Sequence, residues 1–205
     1  CPIDISSYMV TEAIRKISKL NKGEVVNFRW NISDFDNLEN VSSLLRDKEF
    51  RQNFLLFLGS TVSNFEIHEV MYEVVEAMSR GEDYLLLGVA LSNKKASELI
   101  KSYKTKLTDD FLSLILLQLG FKKDEIEMGV RYENSRIEVY YEIKKDKNFS
   151  LEDKTLRFQI GDQILVAFSY RYSQAELERI ISIYFEDFKF YYNKDKTWTL
   201  VLCKK

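Results

Sequence analysis

Asp4, the pair Asp34-Phe35 and the stretch "FLGSTVSNF" at residues 57–65 hold the residue types in this chain that could do chemistry. Each falls where a β-like run ends. Asp4 closes "PIDI", Asp34-Phe35 follows a second run after "NIS", and Gly59 breaks the apolar run 54–58 into small and polar residues. In open α/β sheets ligands bind beyond the carboxyl ends of the strands, and an ionised carboxylate there can accept both hydroxyl protons of a ribose. An acid beside an aromatic suits an adenine, the carboxylate accepting from the exocyclic amine and the ring covering the base. A bend of tiny residues belongs where backbone must approach something closely. Plainer roles stand beside these: Asp4 and Asp34 as turn formers or helix caps, and Asn64 as the cap of the helix that follows. Taken together and in order, the three features suggest an adenosyl ligand.

The elements that must position them are legible from periodicity. In the first ninety residues, β-rich runs ("PIDI", "VVNFRW", "FLLFLG", "DYLLLGVAL") alternate with helical segments at 8–20 and 67–78. That alternation predicts βαβ units and a parallel sheet flanked by helices. Ser6 or Ser7 and Asn64 are N-cap candidates, and Gly23 and Gly81 follow helices where a stop belongs. Two more helices are expected at 94–104 and 108–119, the second ("FLSLILLQL") apolar enough to be mostly buried. The texture then changes: "RIEVYYEIKK", "KTLRFQI" and "QILVAFSYRY" are β-rich without intervening helices and predict an antiparallel insertion. A helix at 174–184 and a hairpin turning at "NKDK" complete the chain.

With 205 residues, 45% apolar and 30% charged, the chain suffices for one domain with a sizeable core. Thirty basic against 32 acidic residues leave a net charge of -2, so no global field draws it to nucleic acid or an acidic membrane. "IKKDKN" and "YNKDK" interleave acids and read as solvated turns. The only two cysteines, Cys1 and Cys203, lie at opposite ends, and His68 is the single histidine, so zinc sites and histidine-based triads are disfavoured. His68 itself reads as a partly exposed bystander. No stretch nears the ~20 apolar residues of a membrane span and no signal peptide is apparent, so the expected compartment is the cytoplasm. The chain opens on Cys1 without an initiator Met. A missing N-terminal segment, or a partner chain supplying it, is therefore an expectation.

"FLGSTVSNF" resembles the "FLGSTIGNF" signature of the histidine-specific, S-adenosylmethionine-dependent N-methyltransferases of the ergothioneine-pathway type. Four further blocks agree in order: "PIDIS" with "PVDIS", "SDF" with "GDF", "RIEVYY" with "RIEMHL", and "FQIGDQILVAFSYRYS" with "FxxGExIxTExSxKYt". The resemblance implies an α/β class I methyltransferase, a Rossmann-like sheet with flanking helices, lacking its first strand. On it the Rossmann-like core spans 1–120, an antiparallel substrate-side insertion 121–172, and a C-terminal helix and hairpin completing the sheet 173–205. It implies S-adenosylmethionine as cofactor, with Asp4 on the ribose, Asp34 and Phe35 on the adenine, and Gly59 and Thr61 shaping the loop beneath the methyl donor. Asn64 would hold the amine of an amino-acid substrate, Tyr103 its carboxylate, and Ser169 would face its side chain.

Departures from the family pattern shift the expected substrate. Ala167 replaces the glutamate that grips imidazole, and Val139 replaces the neighbouring methionine. A site without that carboxylate discriminates poorly for a substrate N–H, so a larger apolar amino acid, tryptophan or a derivative, fits better than histidine. Ala90 stands where the family has Asp in "GvDLvKd", and the glycine-rich donor loop has no counterpart in these residues. Three readings follow: a methyltransferase for an amino acid's α-amine; a degenerate methyltransferase fold serving as a binding or scaffolding subunit; and an unrelated nucleotide-binding protein, which has no glycine fingerprint behind it.

Overall fold

A computed structural model describes residues 1–20, 30–34, 37–46, 51–151 and 154–205. Phe35 and Gly23, singled out above, lie outside the described residues, as does most of "VVNFRW". The chain is α/β with a mixed sheet. Helices α1 (Ser7–Leu20) and α2 (Leu38–Leu45) precede strand β1 (Phe54–Phe57), a 3-10 turn (Thr61–Asn64) and helix α3 (Ile67–Ala77). Strand β2 (Tyr84–Ala90) and helices α4 (Ala96–Tyr103) and α5 (Lys106–Gln118) follow. Then come β3 (Ile126–Glu133), β4 (Arg136–Ile143), β5 (Lys147–Leu151), β6 (Lys154–Phe158) and β7 (Gln163–Tyr170). Helix α6 (Gln174–Tyr184) and strands β8 (Asp187–Tyr192) and β9 (Trp198–Lys204) close the chain.

The core sheet has the order β1-β2-β9-β8. β1 and β2 run parallel, and β9 pairs antiparallel with both β2 and β8. Period-2 alternation decides which side is buried: Leu85, Leu87 and Val89 of β2 and Val201 and Cys203 of β9 point into one core. That face is covered by α3, through Val70, Met71 and Val74, and by α6, through Leu177 and Ile181. On the opposite face Phe54, Leu56, Leu58 and Leu200 stay more than two-fifths exposed. Burial pushes the Cys203 thiol up to about 12, so it stays protonated and inert. No described helix is long and apolar enough to cross a membrane.

Local chemistry explains the starts and stops. Ser6 caps α1, its Oγ accepting from Met9 N at 3.4 Å. Ser173 and Glu176 form a reciprocal capping box at the start of α6. The hairpin β8–β9 turns on Asn193, whose Oδ1 accepts from Thr197 N and Trp198 N. Two expectations are corrected. Asn64 does not cap α3: the cap position is Glu66 and it makes no side-chain capping bond. Helix α5 is not mostly buried: Ser113 and Leu116 are its buried residues, while Leu107 is 79% and Phe111 69% exposed. Its apolar side chains run around the helix instead of along one stripe, so a single packing face cannot cover them.

The β-rich region forms a separate antiparallel sheet, β3-β4-β7, with a β5-β6 ribbon beside it. Strands β3 and β5 were not foreseen, because "EMGVRYE" and "KNFS" mix charged residues into the alternation. This sheet packs Ile126, Tyr141 and Ile143 against Leu116 of α5 and Phe121. A parallel bridge between Leu91 and Tyr172 joins the exits of β2 and β7.

Candidate functional site

The loop after β1 is small for a definable reason. Gly59 and Ser60 both take left-handed backbone angles, φ 77° and 62°, where glycine is at ease and Ser60 is strained. Ser60 N donates to Gly88 O at 3.1 Å, Ala90 N donates to Ser60 Oγ at 3.1 Å, and the Ser60 and Ser63 hydroxyls meet at 2.9 Å. The loop is thus folded back onto β2. A Cβ at Gly88 would lie 3.4 Å from Leu58 Cα and 3.5 Å from Gly59 N, so the absence of a side chain there lets the two segments touch. Thr61 closes the turn through its own hydroxyl, donating to Leu58 O at 3.2 Å. The 3-10 turn then delivers Asn64, exposed and facing a cavity.

That cavity, about 860 Å³, lies between the turn, helices α4 and α5, and the inner face of β4 and β7. Its lining includes Asn64, Tyr103, Val139, Ala167 and Ser169, residues spread over more than a hundred positions of sequence. Val139 and Ala167 are direct cross-strand partners, and Ile137 and Ser169 are the next pair on the same face. Between Val139 and Tyr140 the register slips by one, leaving Val166 as an extra residue on β7. The consecutive residues Leu165 to Ser169 all border the cavity, with Ala167 and Ser169 on its inner face next to the bulge, while the Phe168 ring turns to the outer face beneath Arg136. The floor is closed by Ile137 and Val139, which are fully buried, and the rim is the exposed pair Leu107 and Phe111. Among the described residues, no lining residue carries a charge.

The remaining predicted positions lie apart from this lining. Asp4 and Asn31 belong to two extended segments joined by a parallel bridge at Ile3 and Asn31, so Asp4 and Asp34 exit neighbouring segments. Asp4 Oδ1 accepts from Ser6 N at 2.8 Å, which is the turn-forming role, and its second oxygen is unengaged among the described residues. Ser33 Oγ, directly before Asp34, is buried without a hydrogen-bond partner among the described residues. Asp4, Asp34, Gly59 and Thr61 are not among the cavity's lining residues. His68 is not either, and its Nδ1 meets Tyr184 OH at 2.8 Å.

Sequence reasoning passed over two charged groups that hold the site's walls. On the outer face of β4, Glu138 is only 4% exposed and takes Arg131 Nε at 2.6 Å and Arg136 Nη2. Arg136 also lies 5.0 Å over the Phe168 ring. Burial opposes ionisation of Glu138, but the bonds from both arginines prevail and hold its carboxyl below the usual 4.5. A depressed folded-state value means that this stabilisation is present above about pH 4.5 and is lost as pH falls through the lower folded value. Denaturant unfolding from about pH 7 to 3 should therefore show an acid-side loss of stability that Glu138→Gln flattens; an unchanged slope in the variant would count against the cluster. The second group is Arg171, which donates from Nη1 to Ser169 Oγ at 2.7 Å and from Nη2 to Tyr103 OH. Its only signal in the sequence is its place between two aromatics in "SYRYS".

The family model described as histidine-specific, SAM-dependent methyltransferase matches residues 1–205. A search of curated protein sequences finds no match. Among solved structures, the chain is similar to DesVI from Streptomyces venezuelae at 10% identity and TM-score 0.42, covering 99% of this chain and 73% of that one. It is similar to the PH0226 protein from Pyrococcus horikoshii OT3 at 16% identity and TM-score 0.46, covering 98% and 69%. CalS10, a SAM-bound amino pentose methyltransferase from Micromonospora echinaspora, gives 9% identity and TM-score 0.36, covering 100% and 83%.

Proposed function

The chain belongs to the histidine-specific, SAM-dependent methyltransferase family, and from that membership we propose that it methylates the α-amine of an amino acid or derivative with a large apolar side chain, tryptophan-like and not histidine. The observation that carries this reading is the cavity whose lining among the described residues is uncharged and bears Asn64, Tyr103, Val139, Ala167 and Ser169. An imidazole N–H would find no carboxylate there, and an unpaired buried donor costs about 1–3 kcal/mol. The volume lies within the range of small-molecule sites.

Bound S-adenosylmethionine supplies an electrophilic methyl group on a sulfonium. The residues near the strand ends fit such a ligand in type. The free oxygen of Asp4 suits a ribose hydroxyl, and the orphaned Ser33 hydroxyl beside Asp34 leaves a buried group in want of a polar partner. Asp34, with Phe35, is assigned to the adenine, and Gly59 and Thr61 to the bend under the donor. Asn64 would accept an amine N–H through its side-chain carbonyl, orienting the nitrogen lone pair. With no nucleophilic side chain required, the protein's contribution is proximity, with partial desolvation by the largely apolar walls.

Calorimetry with S-adenosylmethionine or its demethylated product tests the cofactor half of the reading. Asp4→Ala should weaken binding roughly 10–100-fold, the range for one or two charge-assisted hydrogen bonds. No heat from the unaltered protein at millimolar ligand would remove the reading and leave a binding or scaffolding subunit. Methyl transfer then decides the substrate half: kcat/KM for tryptophan should exceed that for histidine, and the reverse order would sink it.

A further inference from the structure

Two of the cavity's polar groups, Tyr103 and Ser169, share one partner, Arg171. Its side chain is half-buried and makes three bonds, to Ser169 Oγ at 2.7 Å, to Tyr170 O at 2.8 Å and to Tyr103 OH. The guanidinium also lies 5.6 Å from the centre of the Tyr103 ring. All three acceptors are neutral, and no carboxylate pairs with Arg171 among the described residues. A cation held half out of water beside an apolar cavity without a counter-ion is a costly arrangement.

Hydrogen-bond arithmetic gives the consequence. A hydroxyl has one proton to donate. Arg171 has no acceptor atoms, so wherever it meets Tyr103 and Ser169 it occupies their oxygen lone pairs and leaves their protons to point elsewhere. Both residues line the cavity. Two hydroxyl donors that share one positively charged partner form a receptor for an anion, and a carboxylate is the anion that an amino acid brings.

Resting on the reading that this cavity takes the amino-acid substrate, we propose that Arg171 is a positioning residue that makes the Tyr103–Ser169 end a carboxylate receptor, selecting free acids with apolar tails over their decarboxylated or neutral analogues. Ser169 then serves the carboxylate end and not the side-chain end. The tail lies toward Val139, Ala167 and the Phe111 rim.

The test is calorimetry with indole-3-propionate and tryptamine, which share the indole and differ in the charged group. Unaltered protein should bind the acid at least about 10-fold more tightly than the amine. Arg171→Gln should weaken acid binding roughly 10–100-fold and abolish the preference, whereas tryptamine affinity stays within about 3-fold. Arg171→Lys should recover part of the loss, and Tyr103→Phe should lose part of the preference even if Arg171→Gln does not fold. A merely structural role would lower affinity for both ligands together. Equal affinity for acid and amine, no binding of either at millimolar concentration, or a preference that survives Arg171→Gln and Tyr103→Phe would each overturn the proposal. An acid preference in a protein that transfers no methyl group would instead sustain the receptor and remove the methyltransfer reading.

Discussion

Asn64→Ala should lower kcat/KM for methyl transfer roughly 10²–10³-fold while leaving the melting temperature within about 1 °C of the parent. The two halves of that result have separate causes. Asn64 is exposed and caps no helix, so its truncation removes nothing that holds the fold. Among the described residues it is the one amide on the cavity wall, and on the proposed reading losing it frees the amine to rotate away from attack. Asn64→Asp separates binding from chemistry. A carboxylate would favour the ammonium form, so KM should fall and kcat should fall further, because only the neutral amine is a nucleophile. A substrate-saturated Asn64→Ala enzyme that turns over within a factor of about three of the parent would refute the assignment.

Asp83→Ala should be the most destabilising single truncation, costing about 3–5 kcal/mol and lowering the melting temperature roughly 6–20 °C. Asp83 is fully buried just before β2. Its Oδ1 accepts from Asn53 N at 2.7 Å, and its Oδ2 from Ser79 N at 2.7 Å and from the Arg46 guanidinium. One carboxylate therefore ties the entrance of β1, the exit of α3 and the exit of α2. Asn53 and Ser42 extend the network, with Asn53 Nδ2 donating to Ser42 Oγ at 2.8 Å. Removing the carboxylate leaves the partly buried Arg46 guanidinium with its bond to Ala77 O but without its counter-ion, and two backbone donors without their acceptor. Asp83→Asn keeps the shape and should cost less. Differential scanning calorimetry checks both, and an Asp83→Ala loss under about 1 kcal/mol would show that the network is dispensable.

Much of the architecture was written in local pattern. Helix α6 and the β8–β9 hairpin emerge almost at their expected bounds, because capping residues and a turn built on Asn193 act within a few positions of themselves. The tiny residues of "GSTVSN" likewise announced a close approach, and Gly59 and Ser60 at positive φ against Gly88 are that approach. The family resemblance named Asn64, Tyr103, Val139, Ala167 and Ser169, and the fold carries all five to one cavity.

What the linear pattern could not hold is who faces whom. Periodicity says that a residue points inward, not which neighbour it meets, so Asp83 with Arg46 and Tyr103 with Arg171, 37 and 68 positions apart, were invisible as pairs. The slip at Val139 and Tyr140 that leaves Val166 as an extra residue beside the cavity is a property of two paired strands and has no signature in either alone. Helix α5 reads as core by composition, yet leaves Leu107 and Phe111 exposed as the rim of the cavity. Hydrophobicity reports the tendency to leave water; only packing in three dimensions decides which apolar side chains find cover.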